Sequence, residues 1–133
     1  MSPEIIHRKL SNMINYLEDL LPYQNVSYET FYSDHYKIER LIEILVMTAS
    51  DIAFHLLSQQ KEPPPASYRA AFIRLGELEI LDTETSQNLA LGAGLRNILV
   101  HDYEEIDYQL LHKSIPLIIR DIRRFVEIMN NNT

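Results

Sequence analysis

Apolar residues recur at spacings of three and four through most of this 133-residue chain. That period builds helices buried on one face and is incompatible with alternating strands. Ile6, Leu10, Met13, Leu17 and Leu20 make the first such stripe. Ser2, Pro3 and Glu4 precede it with a capping hydroxyl, a proline at the first helical position and an acid in the first turn. This helix is expected to run to about Leu21, with Pro22 closing it. A long helix follows after Ser27, with Ile38, Leu41, Leu45, Ile52 and Leu56 inward, and the prolines at 63 to 65 end it. Residues 67 to 81 read as a short helix with Ala71, Leu75 and Leu78 inward. Asp82 or Thr83 caps the next helix, whose stripe is Leu91, Leu95 and Ile98. Asp107 caps the last, with Leu111, Ile115, Ile118, Ile122, Phe125 and Met129 inward, a kink expected at Pro116, and a frayed tail over residues 130 to 133. The expectation is an all-α, up-and-down bundle of four main helices plus one short extra helix, a single domain over residues 1 to 133.

The chain has no cysteine, so disulfides, thiolate zinc sites and cysteine nucleophiles are excluded. A net charge of −7 argues against a general nucleic-acid coat, but not against an enzyme touching a few phosphates in one cleft. The first ten residues lack an apolar signal core, and no uninterrupted apolar run suggests a membrane span. A cytoplasmic protein with no membrane association is expected.

Residues 92 to 107, GAGLRNILVHDYEEID, combine chemistry with small side chains. On a helix turning about 100° per residue, Leu91, Leu95, Ile98 and Leu99 gather on one side as a core stripe. Arg96, Asn97 and His101 fall on the opposite arc, with Ala93, Gly94 and Val100 among them. Asn97 lies four before His101 and can reach its imidazole. Gly92 and Gly94, each costing helix stability, leave room for a close approach by another backbone or a substrate. Tyr103 sits at the rim.

An imidazole can take or give a proton near neutral pH, and a guanidinium fork fits phosphate. Together they suit attack on a phosphodiester without a metal. In RNA the 2′-OH is a nucleophile already in place. A base removes its proton, the arginine stabilises the phosphorane, and an acid protonates the leaving 5′-oxygen. The products are a 2′,3′-cyclic phosphate and a 5′-hydroxyl. One His101 per chain is thin for both base and acid. A twofold dimer through the Arg96–His101 face gathers two of each into one cleft.

The segment RNILVHDY matches the R-x4-H-x-Y signature and resembles the HepT toxins, a branch of the HEPN ribonuclease superfamily. ERLIEILVMTASDIAFHLL is similar to that family's second helix, and PPPASYRAAFIRLGELEIL to the segment before its motif. Arg96, His101 and Tyr103 occupy the three marked positions, and Asn97 the polar place after the arginine. The resemblance implies the RNase toxin of a type VII HEPN/MNT toxin–antitoxin pair, dimeric with the motif at the interface, with transfer RNA among its target classes. It also implies an MntA-type nucleotidyltransferase antitoxin that attaches AMP to Tyr103. ATP and magnesium would belong to that partner, leaving this chain without a cofactor.

Asp51 and His55 share a helix face and read either as support for the cleft or as a surface pair. Glu39 and Arg40 match a polar pair common in the family's second helix, where a structural role is expected. His7, His35 and His112 read as surface residues, and Glu104 with Glu105 lacks the further ligands a metal needs. Arg120, Arg123 and Arg124 form the best basic patch, open to RNA, an acidic partner or plain solvent. Two rival readings are a catalytically idle HEPN-type module that binds nucleotide or a partner, and a plain helical interaction protein.

Overall fold

A computed structural model describes residues 3 to 131. Six α-helices follow one another: α1 (Pro3–Leu20), α2 (Tyr28–Ser33), α3 (His35–Gln59), α4 (Tyr68–Glu77), α5 (Thr83–His101) and α6 (Tyr108–Asn131). The helix start expected at Ser2 lies outside the described residues, but α1 does begin at Pro3 with Glu4 in its first turn. No strand occurs among the described residues.

The four long helices α1, α3, α5 and α6 are those the period announced, and the short α4 is the expected extra one. The fold adds α2, which the sequence reading missed. Its start is an ordinary cap: the Ser27 hydroxyl accepts the Thr30 N–H at 3.2 Å. Asp34 then breaks the run, and its carboxylate accepts the Tyr23 hydroxyl at 2.7 Å. Two helices meeting at Asp34 look like one long helix when only apolar spacing is followed.

The expected stripes need small shifts. On α3 the fully buried residue of the last turn is Leu57 rather than Leu56. On α4 Phe72 joins Ala71 and Leu75, and Leu78 is only half-buried. On α6 Ile119 and Val126 are buried, and Ile118 is not. That helix runs on through Pro116 and through Asn130 and Asn131, expected as tail. Neither α3 nor α4 waits for a proline or glycine to stop. Lys61 and Glu79 adopt φ of 59° and 61°, and the N–H groups of Glu62 and Ile80 reach back to the carbonyls of Leu57 and Leu75.

α3 is the one helix among the described residues long and apolar enough to cross a membrane. Here its apolar residues, from Ile38 through Leu45 and Ile52 to Leu57, are spent on the core shared by the other helices. The prolonged hydropathy therefore marks a central bundle helix.

The closest crossing joins α4 to α5. A Cβ placed on Gly76 would come within 2.6 Å of Ser86 Cβ, and nearer still to its Oγ. The buried Ser86 hydroxyl donates to the Phe72 carbonyl at 2.8 Å. Gly76 is thus the glycine that the fold itself requires for close approach. α5 and α6 run antiparallel, tied by Asn88 to Asp121 at 3.4 Å, Glu84 to Arg120 at 3.6 Å and Asp82 to Arg124 at 3.8 Å.

Candidate active site on α5

α5 starts at the Asp82 cap, whose carboxylate accepts the Thr85 N–H at 3.1 Å and the Thr85 hydroxyl at 3.0 Å. The Thr85 backbone bond is the main reason this carboxyl is held below its usual range. The residues α5 buries are Thr85, Ser86, Leu89, Ala90, Ala93 and Leu99. This corrects the expected stripe, of which Leu99 alone is buried. Leu91 is 67% exposed, Leu95 and Ile98 are half-buried, and Ala93, expected on the polar arc, is in the core. α5 approaches its neighbours through small residues, which bury completely where helices cross closely. Leu89 and Leu99 stay buried, but Leu91 and Leu95 are left to face outward.

Those leucines line a groove of about 640 Å³ between α5 and α6. Gly92, Gly94, Leu91, Leu95 and Ile98 form one wall, and Leu110 and Leu117, 60% and 52% exposed, belong to the other. A Cβ on Gly94 would meet nothing within 4 Å, and one on Gly92 only Val46 Cγ2 at 3.9 Å. Neither glycine is demanded by packing within this chain.

At the end of α5, His101 is exposed. The Asp102 N–H bonds to the Ile98 carbonyl, and a 3-10 turn over Tyr103–Glu105 leads to Asp107, which caps α6 by accepting the Leu110 N–H at 3.0 Å. His101, Asp102, Tyr103, Glu104 and Glu105 border one shallow hollow of about 260 Å³. Tyr103 is 65% exposed there, on the turn that follows α5.

Arg96 leans the other way. Its Cζ lies 5.4 Å from the ring centroid of Tyr68, the first residue of α4. Its Nε is buried without a hydrogen-bond partner. It has no carboxylate partner among the described residues; Arg8, Arg69 and Arg123 share that lack but are exposed, whereas Arg96 is half-buried. Asn97 is exposed, and among the described residues it makes no hydrogen bond to His101.

The remaining candidates divide. Asp51 pairs with Lys9 at 3.4 Å, so its carboxylate ties α3 to α1. His55 has a buried, unpartnered Nε2, and burial pushes its pKa down. His35 and His112 are not surface residues. His35 is buried, its Nδ1 lying 2.5 Å from Glu39, and His112 Nε2 lies 2.8 Å from the Val26 carbonyl. Both join an aromatic cluster with Tyr28, Phe31, Tyr32 and Tyr108. No group of three or more His, Asp or Glu residues able to hold a metal occurs among the described residues. In the basic patch on α6, Arg120 and Arg124 are already paired with carboxylates, leaving a weaker field than the sequence suggests.

The family model for ribonuclease HepT-like proteins matches residues 13 to 129. The chain belongs to the HepT-like ribonuclease family. It is 31% identical over 134 residues to the tRNA nuclease HepT of Aphanizomenon flos-aquae, covering 98% of this chain and 91% of that one. It is 33% identical over 79 residues to the mRNA nuclease HepT of Shewanella oneidensis, covering 59% of each. The fold matches the tri-AMPylated Shewanella oneidensis HEPN toxin solved in complex with its MNT antitoxin, with a TM-score of 0.86 and 22% identity over 98% of this chain and 99% of that one. A HepT-like chain with this helix order presents the R-x4-H-x-Y segment over the end of α5 and the turn that follows.

Proposed function

We propose that this HepT-like chain is the RNase toxin of a HEPN/MNT pair, cleaving RNA at the Arg96–His101 site without a metal. The observation that carries the reading is the unpaired Arg96. In a chain with 19 acids and 12 bases, a half-buried guanidinium without a carboxylate is kept for an anion from outside. The scissile phosphate is that anion. His101 takes the proton of the 2′-OH or gives one to the leaving 5′-oxygen. The products are a 2′,3′-cyclic phosphate and a 5′-hydroxyl.

Two features support a twofold dimer. The groove beside the site exposes Leu91, Leu110 and Leu117, and two glycines on it serve no contact within the chain. A second copy seated there supplies the second His101, so that one imidazole acts as base and the other as acid. Substrate is RNA, with transfer RNA as one class, since the Aphanizomenon relative is a tRNA nuclease. The protein works in the cytoplasm.

Control falls to Tyr103. The partner is an MntA-type nucleotidyltransferase, as the AMPylated HEPN toxin bound to its MNT antitoxin supports. The Tyr103 hydroxyl oxygen attacks the α-phosphate of ATP in that partner's site, its proton goes to a base there, and pyrophosphate leaves. Magnesium and ATP belong to the partner. AMP attached in the hollow beside His101 sets an anion and a nucleoside where RNA must enter. Alanine at Arg96 or His101 tests the reading: either change slows RNA cleavage by at least about 10²-fold and relieves growth arrest while the helical fold persists. A folded variant cutting at the parental rate would overturn it.

A further inference from the structure

Tyr68 lies 28 residues before Arg96 in sequence, outside the catalytic signature, yet the fold stacks them. The Arg96 Cζ is 5.4 Å from the Tyr68 centroid, within the range where a guanidinium is held by a ring face. Tyr68 is itself held. The Phe54 ring of α3 packs on it with centroids 5.5 Å apart. It opens α4 just after the cap at Ser67, whose hydroxyl accepts the Ala70 N–H at 3.0 Å. α4 in turn is locked to α5 by the Gly76–Ser86 crossing and the Ser86–Phe72 hydrogen bond. The two residues in the stack are therefore carried by elements that cannot slide past each other.

The stack does work that no hydrogen bond does here. A long arginine with no partner samples many rotamers, and ordering it at the moment of reaction costs entropy. Tyr68 covers one face of the guanidinium, and Nε is turned into the protein, where it finds no acceptor. Neither terminal nitrogen is buried and orphaned in that way. The fork edge of the group is left for an incoming phosphate oxygen.

We propose that Tyr68 is a positioning residue for RNA cleavage, holding Arg96 by its ring face so that the terminal nitrogens meet the scissile phosphate. The proposal rests on the RNase reading of Arg96 given above. Tyr68 touches no reacting atom. Its effect passes through Arg96 and is felt in the transition state, where charge on the phosphate is greatest.

The test uses the full chain and one end-labelled RNA, with kcat and KM measured for the parent, Tyr68→Leu, Tyr68→Phe, Arg96→Ala and Tyr68→Leu/Arg96→Ala. Tyr68→Leu is expected to lower kcat about 10-fold with KM within about twofold. Tyr68→Phe keeps the ring and recovers the rate to within about threefold of the parent. In the Arg96→Ala background Tyr68→Leu costs nothing further, because its target is gone. The Arg96 Nε–H resonance, shifted by the ring above it, moves in Tyr68→Leu and stays in Tyr68→Phe. Should Tyr68→Leu fail to fold, Tyr68→Met replaces it, keeping bulk and helix propensity without a π face. An unchanged kcat, an equal loss with and without Arg96, or an unmoved Arg96 resonance would each overturn the proposal. If Arg96→Ala alone retains full cleavage, the RNase reading itself falls, and the resonance still decides whether the stack exists.

Discussion

Replacing Gly76 with alanine tests the crossing that positions α4 against the active-site helix. The added Cβ would lie 2.6 Å from Ser86 Cβ, well inside any real carbon–carbon contact, and closer to the Oγ. Ser86 is buried and its hydroxyl already serves Phe72, so it cannot swing away freely. Overpacking of this kind costs about 1–3 kcal/mol. Disturbing the buried hydroxyl bond adds about 1 kcal/mol, and the better helix propensity of alanine returns about 1 kcal/mol. The net expectation is a loss of about 2 kcal/mol, or a Tm lower by roughly 6–10 °C for a chain of this size. Urea and thermal unfolding at fixed protein concentration measure it, since association would make Tm concentration-dependent. Ser86→Gly removes both opposing atoms, so the double variant Gly76→Ala/Ser86→Gly should lose less than the two single losses added. A Gly76→Ala protein as stable as the parent, or a strictly additive double variant, would refute the reasoning.

Gly94→Leu meets open space within the chain and should leave unfolding unchanged or slightly improved, yet weaken the proposed dimer in sedimentation and lower cleavage with it; unaltered association would place the interface elsewhere. Tyr103→Phe should fold normally but gain no AMP mass on incubation with the nucleotidyltransferase, ATP and magnesium; a gain equal to the parent's would move the acceptor to another residue. Stability should fall as pH drops below about 6.5, because burial holds the His55 pKa below that of an unfolded histidine, and the unfolded chain takes up a proton that the folded site resists. Above that pH the contribution is complete, and His55→Gln should flatten the slope between pH 7.5 and 5.5 in urea titrations; an unchanged slope would remove His55 as the cause.

Much of this molecule is legible in its sequence because the apolar period of α1, α3 and α6 is strong. Ile6 to Leu20 and Leu111 to Met129 sit within a residue of where the spacing puts them. α5 defeats the same reasoning. Its core face mixes Thr85, Ser86, Ala90 and Ala93 with Leu89 and Leu99, while Leu91, Leu95 and Ile98 line an outer groove. A rule that turns every leucine inward misplaces Leu91 and Leu95 on such a helix. The glycines show the same limit. Gly92 and Gly94 stand beside the motif, but the close crossing falls at Gly76, which only the α4–α5 geometry identifies. Arg96, His101 and Tyr103 were readable as a signature. Tyr68 was not, since its link to Arg96 spans two helices and rests on ring geometry rather than spacing. Asp51 shared a face with His55 in sequence, but Lys9 of α1 claims its carboxylate.

The most direct measurement is the chemistry of the cut ends, made in EDTA with the parent, Arg96→Ala and His101→Ala on one RNA and on its copy bearing a single 2′-deoxy substitution at the cleaved nucleotide. The parent should cut the RNA in EDTA, leave 2′,3′-cyclic phosphate and 5′-hydroxyl ends, and spare the substituted copy. Loss of Arg96 should slow cleavage by about 10²–10³-fold, and loss of His101 by about 10²–10⁴-fold. Cleavage abolished by EDTA and restored by magnesium, or 5′-phosphate ends, or a folded His101→Ala protein at full rate, would contradict the account.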